Sequence, residues 1–167
     1  MKSIITILLL ALTLNLSASS LPYTDDIRNA FVQASQDKYL RAEFHDLVIQ
    51  SKTSTAFSMV YQGAAKALLA ETIYAPWSKW KYFQDGRDLI EAAIQEDPLN
   101  AEFRYIRFLI QINAPSFLDY DTNLKEDYAL ISKSIETSNG DEVWKAYFER
   151  FQLEHAERIQ EKVNPKS

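Results

Sequence analysis

Between residues 101 and 112 the chain reads AEFRYIRFLIQI, and this stretch limits the fold more than any other. At helical spacing Phe103, Tyr105, Ile106, Phe108, Leu109, Ile110 and Ile112 cover nearly the whole circumference. Arg104, Arg107 and Gln111 form a polar stripe, at i, i+3 and i+7. A helix that is apolar almost all round is stable only when surrounded, so the rest of the chain must supply neighbours on every side. Those neighbours are predicted to be helices as well. Apolar residues recur at helical spacing almost throughout, and no segment shows period-two alternation bounded by turn signals. The expectation is an all-α fold of about seven helices packed in antiparallel pairs, in a single domain.

The pattern places these helices along the chain. The first starts after Thr24 or Asp25 and turns Ile27, Ala30, Phe31 and Ala34 to one face. A second runs from about Asp37 with Leu40, Phe44, Leu47 and Val48 as its stripe. A third begins near Ser54, carries Phe57, Val60, Tyr61 and Leu68, and is stopped by Pro76. Its Gly63, Ala64, Ala65, Ala67 and Ala70 are small, which lets a neighbouring helix come close. The fourth spans residues 77–96 and is closed by the sequence EDPLN, the fifth 101–112, and the sixth 123–137. SNGD then ends the sixth and caps a seventh, from Asp141 to about Lys162.

Residues 1–20 have a different character and read as an export signal. Lys2 gives the positive start, Ile4 to Leu16 is an apolar run broken only by Thr6, Thr13 and Asn15, and Ala18 and Ser20 are spaced for cleavage before Leu21. The run falls short of the ~20 apolar residues of a membrane span. No cysteine follows, so lipid attachment at a cleavage-site cysteine is excluded. Removing residues 1–20 from 167 leaves 147, and with Lys2 gone the 17 basic and 23 acidic residues give a charge of −6. That length suits one domain, 21–167, with a real core. An exported chain without cysteine has no disulfide to staple it, so burial must hold it, and 9 Phe, 9 Tyr and 3 Trp can supply that. The acidic balance speaks against nucleic acid or anionic lipid as partner. No second apolar span and no low-complexity tract is present.

In the fourth segment Gly86 is followed by Ile90, Ala93 and Pro98, with DPLNAE leading into the next helix. This resembles the second helix of a tetratricopeptide repeat, in which small residues let paired helices nest and the closing proline redirects the chain. The first half of that motif is not reproduced, since YAPWSK makes a longer connection than the family's tight turn. The wider run from YQGAAKALLA to APSFLDY, within residues 54–135, is similar to uncharacterised small exported tetratricopeptide-like helical proteins of Gram-negative bacteria. The resemblance implies a right-handed helical array and brings no cofactor, substrate or catalytic residue with it.

The residues that stand out chemically each have a structural explanation beside the functional one. DYDTNLKEDYAL places Asp119, Asp121 and Asn123 as a calcium loop would, but has Leu124 where that loop needs Gly and Leu130 where it needs a bidentate Glu. Capping of the sixth helix by Asp121, Thr122 or Asn123 is the better account. His45 and His155 lack the spacing of a zinc pair, and Glu154, His155 and Glu157 read as a solvated helix end. No nucleophile elbow, phosphate loop or dinucleotide fingerprint is present. Trp77 and Trp80 offer a partner-facing platform, although with Phe83 they also have the spacing of a core stripe. Arg104 and Arg107 lie on a helix that must be buried, and so need carboxylates. Asp119, Asp121, Glu126 and Asp127 follow, giving two readings: an arginine-to-loop clamp, which is favoured, or an anion-binding groove. In the first, Pro115 ends the fifth helix and Phe117, Leu118 and Tyr120 anchor a latch over it.

The expected function is a non-enzymatic interaction module of the cell envelope that binds an unidentified protein or peptide along a helical groove. The alternative is a carrier of a small apolar or anionic ligand among the third to fifth helices, and an enzyme comes last. No cofactor or metal is expected.

Overall fold

The computed structural model describes residues 21–50, 55–137 and 143–163, which wind into helices joined by short turns. α1 (Leu21–Gln36) starts ahead of the expected Thr24. Asp37 then caps a 3-10 turn at Lys38–Leu40 by accepting from the Tyr39 backbone N–H at 2.9 Å, and α2 (Arg41–Ile49) follows. α3 (Ala56–Ala70) is capped by Thr55, whose hydroxyl accepts from the Ser58 N–H at 3.2 Å. It ends well before Pro76, which instead opens α4 (Pro76–Glu96), a position where its missing N–H is no loss.

Asn100 caps α5 (Ala101–Asn113) through the N–H groups of Glu102 and Phe103, at 3.1 and 3.3 Å. After a 3-10 turn at Ser116–Leu118 come α6 (Leu124–Thr137), α7 (Val143–Glu154) and α8 (Ala156–Val163). The expected seventh helix is therefore two, divided at His155, although backbone bonds from His155 to Phe151 and from Ile159 to His155, both 3.0 Å, still cross the division. The expected export signal (1–20) and the SNGD cap (138–141) lie outside the described residues. Among those residues there are eight α-helices and no strand, and no helix is long and apolar enough to cross a membrane. The fold is all-α and a single domain.

α3 and α4 share the most extensive interface, and two glycines explain it. A Cβ on Gly63 would lie 2.6 Å from the Gly86 carbonyl oxygen and 2.8 Å from Ile90 Cγ1. A Cβ on Gly86 would lie 2.6 Å from the Gly63 carbonyl oxygen and 2.8 Å from the Ala67 nitrogen. The two helices thus cross backbone against backbone, antiparallel, with Ala64 and Ala93 buried nearby.

α5 lies in the middle. Every residue from Ala101 to Ile112 is buried, with α3, α4 and α6 around it. α7 closes the remaining side, where Tyr105 stacks on Trp144 at 6.0 Å and meets Phe148 edge-on at 5.6 Å. Phe31 of α1 reaches the same cluster, contacting Phe44, Tyr61 and Tyr105.

Candidate functional site

The polar stripe of α5 is where charge enters the core. Asp127, in the first turn of α6, is 0% exposed and receives both arginines. Arg107 donates to it through Nε at 2.7 Å and Nη2 at 2.7 Å, and Arg104 through Nη1 at 2.9 Å. Arg107 also donates from Nη1 to Glu91 of α4 at 2.6 Å, and the other Glu91 oxygen accepts from the Tyr120 hydroxyl at 2.7 Å. Arg104 completes its set with Glu126 Oε1 at 3.1 Å and the Pro98 carbonyl at 3.0 Å. Burial alone would pull the Arg107 guanidinium down, but Asp127 and Glu91 more than reverse that. Burial, and then Glu91, hold the Tyr120 phenol far above its ordinary range.

This geometry separates the two readings of the arginines. Asp127, Glu91, Glu126 and a backbone carbonyl engage both arginines, which favours a clamp over an anion-binding groove. Nor do Asp119 and Asp121 hold them, as the latch reading expected: both are exposed. Asp119 adopts the left-handed conformation (φ 48°), one that Asp tolerates better than most residues, and reverses the chain after the 3-10 turn. The reversal sends Tyr120 inward, edge-on to Phe83 at 5.8 Å, while Phe117 is left 80% exposed and anchors nothing. Pro115 follows the end of α5 and precedes that turn. Of the expected anchors, Tyr120 and Leu118 pack and Phe117 does not.

A second buried carboxylate escaped sequence reasoning. Glu102, in the first turn of α5, accepts from Arg28 Nε at 2.6 Å and Nη2 at 2.8 Å, and from the Tyr61 hydroxyl at 2.7 Å. The bidentate pair and the phenol tie α1, α3 and α5 together. Burial first, then Glu102, raise the Tyr61 phenol well above its usual range. The signal in the sequence was a lone acid beside the all-round apolar stretch, which needed a cation as much as the arginines needed acids.

A concavity of about 1060 Å³ opens where several helices end. Its floor includes Phe31 of α1, Leu68 of α3, and Tyr105 and Leu109 of α5, with Trp80 and Phe83 of α4 on one wall. The opposite wall is the α7–α8 junction, with Tyr147, Arg150, Phe151 and His155. Helix C-termini carry unsatisfied carbonyls and partial negative charge, and two arginines answer them. Arg41 donates to the Ala34 carbonyl at 3.2 Å, the Leu68 carbonyl at 3.3 Å and Glu71 at 2.6 Å. Arg158 donates to the Ile112 carbonyl at 2.8 Å. The exposed Phe117 stands at the rim.

The aromatic platform of α4 is divided by this groove. Trp80 is half-buried on its wall, whereas Trp77 is 77% exposed and Phe83 alone of the three reaches the core. The expected core stripe fails at Trp77 because α3 ends at Ala70 and does not reach the first turn of α4. His155, read from sequence as solvated, packs on the Phe151 ring at 4.5 Å, and His45 lies beside Tyr82 at 6.5 Å. No group of three or more His, Asp or Glu side chains converges as a metal site among the described residues. No protein-family model, no curated protein and no solved structure matches the chain.

Proposed function

We propose that this protein is a non-enzymatic binding module of the cell envelope whose groove at the α1, α3 and α5 C-termini receives a segment of a partner protein. One observation supports this most: an open, aromatic-lined concavity of about 1060 Å³, with Trp80 in its wall and Phe117 80% exposed at its rim. Aromatic side chains in a concave apolar site are the usual energetic anchors of recognition. The reading includes a tetratricopeptide-like array, supported by the nested α3–α4 pair and the Gly86, Ile90, Ala93 and Pro98 spacing. Export rests on the composition of residues 1–20 alone.

A photo-crosslinking amino acid placed at Phe117 tests the proposal in cells. The expected result is a discrete protein adduct from position 117 and none from Lys133, which is exposed on α6. Equal labelling from both positions, or none from 117, would remove the groove from the account. N-terminal sequencing of the protein from the envelope fraction tests export, with Leu21 expected as the first residue.

A second reading, a carrier of a small apolar ligand, has its own support, because α3, α4 and α5 all contribute to the apolar floor. A stoichiometric small molecule co-purifying in native mass spectrometry would favour it over a protein partner.

A further inference from the structure

Tyr105 lines the groove with a hydroxyl that donates to no group among the described residues. The residue is 3% exposed, its ring fixed by Phe31, Trp144 and Phe148. Three other tyrosines in or near the core each donate at 2.7 Å: Tyr61 to Glu102, Tyr120 to Glu91 and Tyr147 to Asn29. The Tyr105 hydroxyl has no hydrogen-bond partner among the described residues, although the residue lines the groove. Among the described residues the buried side-chain atoms without a partner are Gln111 Oε1 and Ser132 Oγ, so the Tyr105 hydroxyl opens to the groove, where an entering acceptor takes the place of water. Burial, with Tyr147 adding to it and Arg150 opposing, holds this phenol well above its ordinary range. At neutral pH it is therefore a donor.

The charges around it are of two kinds. Arg41 and Arg158 are spent on helix carbonyls. Arg150 is half exposed, with Glu154 at 3.7 Å and the Tyr147 ring at 5.7 Å. Lys79, on the opposite wall, pairs with no carboxylate among the described residues. Lys79 on α4 and Arg150 on α7, the latter held by the 3.7 Å pair with Glu154, match two separated carboxylates, which an acidic peptide carries and a single-headed amphiphile does not. The volume points the same way, since it lies at the upper end of the roughly 300–1,000 Å³ of small-molecule pockets.

Resting on the peptide-binding reading of the groove, we propose that its occupant is an acidic segment of a partner protein with a large apolar side chain between carboxylates. The apolar side chain packs against Phe31, Phe83 and Leu109. One carboxylate accepts from the Tyr105 hydroxyl and pairs with Arg150, and another pairs with Lys79.

Selection of a random-peptide display library on the full protein, followed by fluorescence-anisotropy titration of the enriched peptide, tests this. The expected winners place Asp or Glu on both sides of Leu, Phe or Trp. Y105F and R150Q each weaken binding roughly tenfold, the loss of one hydrogen bond to a charged group. Replacing the peptide's nearer acid by its amide costs wild type more than it costs Y105F or R150Q, which marks a direct pair. Thermal melts of Y105F and R150Q at wild-type values keep lost binding separate from lost folding. Basic or uncharged winners whose binding still falls in W80A would overturn the acidic segment and leave the groove standing. Winners indifferent to W80A, Y105F and R150Q alike, or no enrichment at all, would overturn both.

Discussion

Asp127 shows how much depends on single residues in this protein. It is wholly buried and holds two guanidiniums, so its charge is tolerable only while both remain. D127N leaves Arg104 and Arg107 short of a buried anion, and the expected loss is about 3–5 kcal/mol, the range for breaking a buried pair. R104L is expected to cost less, because Asp127 keeps both contacts from Arg107 and the Glu126 partner is solvent-exposed. Urea denaturation of the two variants checks the order; equal midpoints would mean that Asp127 is not the hub. The tyrosines give a pH dependence with a definite sign. Tyr61, Tyr105 and Tyr120 are raised by burial in the folded state, whereas in the unfolded chain they titrate near the ordinary value of about 10. Their contribution is fully present below pH ~10 and is lost as pH rises beyond it, because the unfolded state then gives up protons that the folded state keeps. Denaturation midpoints that fall from pH ~10 upward, with tyrosinate absorbance appearing only on unfolding, are the expected result. Tyrosinate absorbance from the folded protein at that pH would contradict it.

At the scale of elements, the α3–α4 crossing depends on having no side chain at two positions. Alanine in a helix interior ordinarily gains roughly 0.5–1 kcal/mol over glycine. Here the added Cβ meets backbone atoms at 2.6 Å, which cannot rotate away. Separating the helices also disturbs Ile90 and Ala67, so G63A and G86A are each expected to destabilise by a net ~1–3 kcal/mol, the range for overpacking. Calorimetric melts decide it, and a raised melting temperature for either variant would show that the helices are not in backbone contact. The sequence made this crossing legible through the small residues of 63–70 and the spacing after Gly86. Helix identities were legible too, since periodicity reports the face that must be buried. Ends were harder: α3 stops at Ala70 with no breaker beside it, and the last helix divides at His155 without a proline or glycine. Both follow from what the chain packs against, which a local pattern does not contain.

At the scale of the molecule, the all-round apolar character of residues 101–112 correctly placed α5 at the centre, and the need of its arginines for carboxylates was equally plain. Which carboxylates was not. Glu91 stands sixteen positions before Arg107 and Glu102 seventy-four after Arg28, and only the packing of α4 and α1 on α5 brings them together. The nearer Asp119 and Asp121 looked better placed in sequence and face solvent instead. The groove was illegible for the same reason, being assembled from the ends of α1, α3 and α5, the start of α4 and the α7–α8 junction. Trp77 and Trp80 could be singled out together, but Tyr105 read as one more core aromatic. That its hydroxyl donates to none of the described residues becomes visible only when the partners of the other buried tyrosines are known.

The central claim is that this groove is where the protein meets its partner. Backbone amide chemical shifts of the isotopically labelled protein, recorded while the selected peptide is titrated in, test it most directly. The account predicts shifts concentrated at the C-terminal ends of α1 and α3, along the groove face of α5 and at the α7–α8 junction, with Tyr105, Leu109 and His155 among the most affected. Shifts centred instead on Tyr74 and Trp77, or on the exposed face of α6, would contradict it.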